Sequence, residues 1–386
     1  MDGSDGTDGR IDVAATLAEL VGVNSVSARP NRALVELVAA RCERLGFGVR
    51  LLPYTDERGV EKVNMIAVAP VEAKDDELIE LALVGHTDTV PFDPSWPEAL
   101  TLTERGGRLY GRGACDTKGF IAAALAACAR VELARLKRPL ALVCTADEEV
   151  GCLGAKRLAE ARAFRARHAV VGEPTSLRPV RAGKGYCLAS VTVGGREGHS
   201  AYPALGASAI FRAARLIARI ERVAARLQAQ RHEAFDPPYT TVNVGLIEGG
   251  TAKNIIAGQC RFTLEWRPVP GQAAAHVSEL IQAEVENLRA EDADFDCRVE
   301  VQRLDEATET AADAPLVRHL EAATGRRAGT VAFGTEAPQL TELGAQAVVF
   351  GPGSITDAHR TGEYVPVAEL NACVELLAGA IRQFCY

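Results

Sequence analysis

The segment LALVCTADEEVG (140–151) decides how this chain is read. Its first half is a short, uncharged apolar run entered from Pro139, the pattern of a buried strand. The run stops at Asp147, Glu148 and Glu149, with Gly151 just beyond. Three carboxylates at the end of a buried strand repel one another and are costly to ionise unless a cation neutralises them. A lone acidic triplet is usually a solvated loop. Here, four other apolar runs or Gly-rich turns also end on a metal-type ligand.

Working outward, LIELALVG (78–85) ends on His86-Thr87-Asp88, and an Ala-rich stretch predicted to be helical over 117–136 begins directly after Asp116. The run 169–172 ends on Glu173-Pro174, and the run 347–350 leads through a Gly-rich turn to His359. Upstream, 11–21 and 31–45 read as amphipathic helices, the second with Leu34, Leu37, Val38, Cys42 and Leu45 on one face. Further strands are expected at 49–52 and 63–69. Strands alternating with helices predict an α/β fold, a mainly parallel sheet flanked by helices. Sites in such sheets form beyond the carboxyl ends of the strands, where all these ligand-type residues fall.

The texture changes near residue 182. Strands at 184–193, 241–247, 261–267 and 297–301 and helices at 206–228 and 272–288 give the order βαββαβ, a ferredoxin-like α+β unit. The first helix carries Ile210, Ala213, Ile217, Ile220, Ala224 and Leu227 as its predicted apolar stripe. The expected organisation is a disordered, Gly/Asp-rich 1–10, a catalytic metal-binding domain over 11–181 and 304–386, and an inserted domain over 182–303. At 386 residues the chain exceeds one simple core, which agrees with two domains.

A net charge of −8 argues against nucleic acid as a partner. No apolar run reaches the length of a membrane span, and MDGSDGTDGR lacks a signal-peptide pattern. Ten cysteines without a CxxC pair fit reduced core thiols and a cytoplasmic location.

Five segments carry the chemistry: GHTDTVP (85–91), GRGACDTKG (111–119), TADEEVG (145–151), GEPT (172–175) and GPGSITDAH (351–359). Imidazole with carboxylate and no thiolate suits zinc, cobalt or manganese in a catalytic site. Two histidines and three acids exceed one tetrahedral ion and fit two metals sharing a bridging carboxylate. Neighbours in extended backbone point in opposite directions, so of Glu148 and Glu149 one would ligate and the other take a proton from water. Spacing alone leaves open which does which. A cysteine-dependent amidohydrolase is the competing class, through Cys115 or Cys144. Neither lies in a nucleophile-type turn, and five metal-type segments would go unexplained. A metal-dependent receptor without catalysis would lack Glu148 or a ligand, and none is missing.

These segments resemble the zinc metallopeptidase family that contains acetylornithine deacetylases, succinyl-diaminopimelate desuccinylases, glutamate carboxypeptidases and aminoacylases, over nearly the whole chain beyond residue 10. The resemblance implies two divalent ions per subunit, zinc with cobalt as the other candidate. His86, Asp116 and Glu173 would hold one ion and Asp116, Glu149 and His359 the other, with Asp116 as the bridge. It further implies Glu148 as general base and Asp88 as the acid that orients His86 through its other ring nitrogen. In the inserted domain, GREGHSAYP (195–203) offers His199 for the tetrahedral oxyanion across the interface of a homodimer. Asn254 and Arg267 would anchor the substrate carboxylate side. GEPTSLRPVRAGKG (172–185) and FGTEAP (333–338), with Thr335 and Glu336 as further substrate contacts, resemble the acetylornithine deacetylase branch. That branch implies an N-acyl amino acid substrate, N2-acetyl-L-ornithine first, then N-acetylcitrulline, succinyl-diaminopimelate or a short peptide. One departure is Arg-Thr-Gly-Glu (360–363) after His359, where the family more often has Gln-Pro-Asp-Glu.

Overall fold

A computed structural model describes residues 11–70 and 77–386. The segment 1–10, expected to be disordered, lies outside the described residues. Two compact units emerge: residues up to Arg181 with Thr310–Gly329 and Thr335–Tyr386, and a second unit of Ala182–Glu309 with Thr330–Gly334.

In the first unit the sheet runs Gly48–Thr55, Glu61–Ala69, Leu140–Thr145, Ile79–His86, Ala166–Val171, Gln346–Val349, and then the start of Val180–Gly183, paired through Val180. The three pairings from Leu140–Thr145 across to Gln346–Val349 are all parallel. The flanking pairings on both sides are antiparallel, so the sheet is parallel at its centre and mixed at its edges. Ile79–His86 and Leu140–Thr145 are buried at every residue, as strands covered on both faces must be. The helix Lys118–Cys128 packs against Ile79–His86, Val13–Gly22 and Val367–Cys385. All eleven of its residues are buried, which its run of alanines permits because small side chains let neighbours approach on every side.

That helix is shorter than the 117–136 read from the sequence. Beyond Cys128 only a short 3-10 turn, Leu133–Arg135, is wound. The amides of Lys137 and Arg138 donate to the Cys385 carbonyl, which draws the chain out of the helix before it enters Leu140–Thr145.

The second unit is a four-stranded antiparallel sheet ordered Thr241–Gly249, Gln259–Arg267, Tyr186–Gly194, Cys297–Asp305. Its helices are Ala209–Leu227 and His276–Glu291. The sheet core centres on Trp266, whose indole N–H donates to the Ala274 carbonyl at 2.8 Å. The first helix starts later than the expected residue 206, at the Ser208 cap, whose hydroxyl accepts the Phe211 amide. Its buried stripe is Ala209, Ala213, Leu216, Ile220, Val223 and Leu227, offset from the predicted one. Both stripes have helical spacing, and alternating apolar positions around this helix leave the sequence no means of choosing between them. The offset leaves Ile210 and Phe211 on the surface, Phe211 at 75% exposure.

Candidate metal centre

Each metal-type residue of the first unit follows the carboxyl end of a central strand or a turn beside it. His86 is the last residue of Ile79–His86, and Glu148 and Glu149 follow Leu140–Thr145. Glu173 follows Ala166–Val171, and His359 lies in the turn region after Gln346–Val349. Glycine is required at two positions that pack around the site, Gly172 before Glu173 and Gly353 against the Cys115 that precedes Asp116. A Cβ on Gly172 would stand 2.1 Å from the Phe120 ring, and one on Gly353, at φ +83°, would stand 2.4 Å from the Cys115 sulfur.

The side chains form a continuous polar run. His86 Nε2 lies 2.9 Å from Asp116 Oδ1, and Asp116 Oδ2 lies 3.1 Å from His359 Nε2. His359 Nε2 in turn lies 3.1 Å from the Glu149 carboxylate. His86, Asp116 and Glu149 each offer a ligand atom within 4.8 Å of the others. His359 holds a left-handed backbone, φ 58°, a conformation uncommon for non-glycine residues, although histidine is among those enriched in it.

The electrostatics describe a cation-shaped deficit. Burial pushes the Glu148 carboxyl up to about 8, reinforced by Glu149, and pushes Glu336 up to about 7. Glu149 and Glu173 are also raised, chiefly by burial and then by neighbouring acids. Burial opposes ionisation of Asp116 too, but hydrogen bonds from His359 and His86 outweigh it and hold Asp116 below the carboxylate range. His359, bonded to Asp116 and Glu149, is raised to about 10. Several acids around two imidazoles, crowded and desolvated, fit one or more divalent ions of the nitrogen- and oxygen-binding kind.

Asp88 behaves differently from its expected part. His86 Nδ1 lies 3.0 Å from the Asp88 carbonyl oxygen but 3.7 Å from its carboxylate. The carboxylate instead accepts the amides of Glu148 and Glu149, at 3.0 and 3.3 Å, and the Ser27 hydroxyl at 2.7 Å. Orientation of the histidine thus runs through the backbone of residue 88, while its side chain organises the acidic turn.

The first acid of the triplet, Asp147, is no part of the ligand run. Asp147 pairs with Lys62 at 2.9 Å, both side chains fully buried, and accepts the Tyr54 hydroxyl at 2.8 Å. Its φ of 58° turns the chain between the strand and the two glutamates. The sequence signal for this pair is a lysine in the strand Glu61–Ala69, which is apolar apart from Glu61, Lys62 and Asn64. A second unforeseen group is Glu363, fully buried and bonded to the Asp116 loop.

Thr335 and Glu336 also belong to the first unit. The Thr335 hydroxyl accepts the Ala337 amide at 3.2 Å, at the start of Ala337–Glu342. Glu336 accepts the Thr145 hydroxyl at 2.9 Å through Oε2, while its buried Oε1 has no hydrogen-bond partner among the described residues.

The remaining candidates lie in the second unit. His199 sits in the short strand Gly198–His199, paired with Ile255–Ile256, and its Nδ1 accepts the Ala201 amide at 3.1 Å. With Nδ1 accepting, the neutral ring carries its proton on Nε2, a donor. The Asn254 carbonyl accepts the Ser200 amide at 3.1 Å, which ties that loop to the His199 strand. Arg267 donates to Glu265 at 2.8 Å and to the Ala332 carbonyl at 3.2 Å, and its guanidinium lies 4.2 Å over the Tyr186 ring. The cysteine alternative loses ground. All ten cysteines are buried, and burial raises the Cys115 and Cys144 thiols well above their ordinary value.

Comparison with known proteins identifies the family. Residues 82–383 match the family described as Peptidase family M20/M25/M40. An acetylornithine deacetylase of Myxococcus xanthus is 55% identical over 372 residues, 96% of this chain and 97% of that protein. One from Proteus mirabilis (strain HI4320) is 36% identical over 379 residues, 95% of each. Among solved structures, a tripeptidase of Staphylococcus aureus superposes with a TM-score of 0.75 at 21% identity, covering 96% of this chain and 97% of that one. A metallo-carboxypeptidase of Sulfolobus solfataricus gives 0.74 at 18%, covering 97% and 99%. At such identities the two structures speak for the fold alone. With the family model spanning most of the chain and a relative matched nearly end to end, the chain belongs to peptidase family M20/M25/M40.

Proposed function

We propose that this hydrolase cleaves the amide of an N-acyl amino acid, N2-acetyl-L-ornithine, to L-ornithine and acetate. The observation that carries the substrate is the 55% identity, over nearly both full lengths, to an acetylornithine deacetylase. The metal-type residues cannot carry it, because a whole family of amide hydrolases uses the same chemistry.

His86, Asp116 and Glu173 are assigned to one divalent ion and Asp116, Glu149 and His359 to a second, zinc or cobalt. Such ions, when bound, polarise a carbonyl and acidify water. Glu148 takes the proton of the attacking water on its carboxylate and returns it to the leaving nitrogen. The Asp88 carboxylate supports this by holding the Glu148 and Glu149 amides, which fixes the turn that presents both glutamates. Arg267 and Asn254 are assigned to the α-carboxylate side, Arg267 through donors that suit a carboxylate edge-on. Thr335 and Glu336 are assigned to further substrate contacts.

His199, as an Nε2–H donor, is assigned to the tetrahedral oxyanion in the site of a second copy. The homodimer this requires is supported by the edge strand Thr241–Gly249, which leaves Leu246 and Ile247 exposed at 71% and 56%. An open, apolar sheet edge of this kind invites pairing with another chain. No helix among the described residues is long and apolar enough to cross a membrane. We assign the protein to the cytoplasm on its reduced thiols. The test is a kinetic panel on metal-reconstituted protein. Acetylornithine should give the highest kcat/KM, and a higher value for succinyl-diaminopimelate or an unblocked dipeptide would overturn the substrate assignment.

A further inference from the structure

We propose that Glu363, clamped by Arg112, is a positioning residue for Asp116, fixing the bridging carboxylate before any ion binds. Glu363 Oε1 accepts two consecutive amides, those of Cys115 at 2.9 Å and Asp116 at 3.0 Å. Its other oxygen takes Arg112 Nη1 at 2.5 Å. Glu363 is fully buried and Arg112 is 3% exposed, so neither contact is shared with bulk water.

Both partners are themselves held. Arg112 donates to the Pro91 carbonyl at 3.2 Å and through its amide to the Ala99 carbonyl at 2.8 Å. The Gly111 amide donates to the Glu363 carbonyl at 3.1 Å, and next to it Tyr364–Pro366 pairs antiparallel with Arg108–Tyr110. The carboxylate therefore ties the loop of Asp116 to the segment that carries His359, four residues before it. Two adjacent amides aimed at one oxygen fix the peptide plane from which the Asp116 side chain departs. Buried amides left without an acceptor would otherwise turn elsewhere.

This assignment rests on Asp116 being a metal ligand, and the experiment separates the two claims. Metal-stripped wild type, Glu363→Gln and the double variant Glu363→Leu/Arg112→Met are titrated with zinc against a chromophoric chelator. Exchanging a buried ion pair for apolar residues of similar volume is often near neutral for stability, so the double variant should remain folded by circular dichroism. It has no acceptor for the two amides, and it should bind zinc about 10–100-fold more weakly than wild type. Glu363→Gln keeps an accepting oxygen and should lose clearly less. Zinc bound by the double variant as tightly as by wild type would reduce the pair to a structural salt bridge. A Glu363→Gln loss equal to that of the double variant would refute the proposal as well. Should the double variant fail to fold, hydrogen exchange on metal-free wild type decides. Slow exchange of the Cys115 and Asp116 amides supports the clamp, and open-loop exchange overturns it. Wild type that takes up no zinc would end both this proposal and the metal reading, whereas a tight wild type beside a tight double variant ends only the clamp.

Discussion

The acidic turn of the first unit and the His199 loop of the second hold their candidate side chains by different means. In the turn, Glu148 and Glu149 are anchored through their amides by the Asp88 carboxylate, and the residue before them is locked by the buried Lys62–Asp147 pair. In the loop, His199 is exposed and its ring receives one backbone amide, while a two-residue pairing with Ile255–Ile256 is the local ladder. The first arrangement is pre-organised, with its orienting charges out of water, where they are least screened. The second leaves its imidazole free to meet a group supplied from elsewhere. Substitutions in the turn should therefore be severe and should not be rescued by another chain, whereas substitutions in the loop should be complemented by one.

The largest expected effect tests the turn. Glu148→Gln should lower kcat by about 10²–10⁴-fold, the usual worth of a positioned acid–base group, with bound metal unchanged. Glu149→Ala should instead lose about one ion per chain, and elemental analysis of both variants decides between them. The reverse pattern would exchange their roles. Next is Arg267→Ala, which removes a carboxylate partner worth about 2–5 kcal/mol. It should reduce kcat/KM by about 10²–10³-fold at full metal content. A kcat/KM near wild type would remove Arg267 from the substrate site.

Complementation is the direct test of the loop. Mixing inactive Glu148→Ala and His199→Ala subunits at random should make about half of the dimers mixed. Each mixed dimer would hold one intact site, so about a quarter of wild-type activity should return. No return after verified subunit exchange would place His199 with its own chain or outside catalysis.

The smallest effect concerns stability without metal. Glu148, raised to about 8, and Glu336, raised to about 7, release their protons in the unfolded chain near the ordinary 4.5. His359 is likewise raised, from 6.5 to about 10. In each case the folded chain binds more protons than the unfolded one between the two values, so stability falls as pH rises through that window. Lys118, lowered by burial to about 7, acts in the opposite sense above that pH, and His168, His319 and Lys184, also lowered by burial, oppose the slope with it. The more numerous raised groups, among them Glu149, Glu173, His86 and Glu363, outweigh them. The thermal midpoint of metal-free protein should therefore fall between about pH 5 and about pH 9, and metal should flatten the slope. A metal-free midpoint that climbs over this range would contradict the buried-acid picture.

Much of the site was legible because strand ends announce themselves. An uncharged apolar run stopping at His86, Glu148 or Glu173 is a local pattern, and the parallel sheet gathers such ends on one edge. What escaped is pairing, which no local pattern names. Lys62 with Asp147, and Arg112 with Glu363, are buried pairs whose members lie 85 and 251 residues apart in sequence. Lys62 stands out among its apolar neighbours and Asp147 in its acidic triplet, but neither announces the other. Asp88 was found as a residue, but its side chain and its carbonyl divide the expected work in a way that only coordinates separate. The inserted helix shows the same limit in apolar form, since two helical stripes were available and packing against the sheet chose one.

The two inward-held carboxylates have a consequence for how negative charge on the substrate is met. Asp88 and Glu363 already occupy the amides of residues 148, 149, 115 and 116. Many hydrolases turn a pair of main-chain N–H groups towards the carbonyl under attack. Here these four main-chain donors face the protein's own carboxylates. Whatever receives the developing charge has to come from outside the main chain of these two turns, as a cation or a side-chain donor.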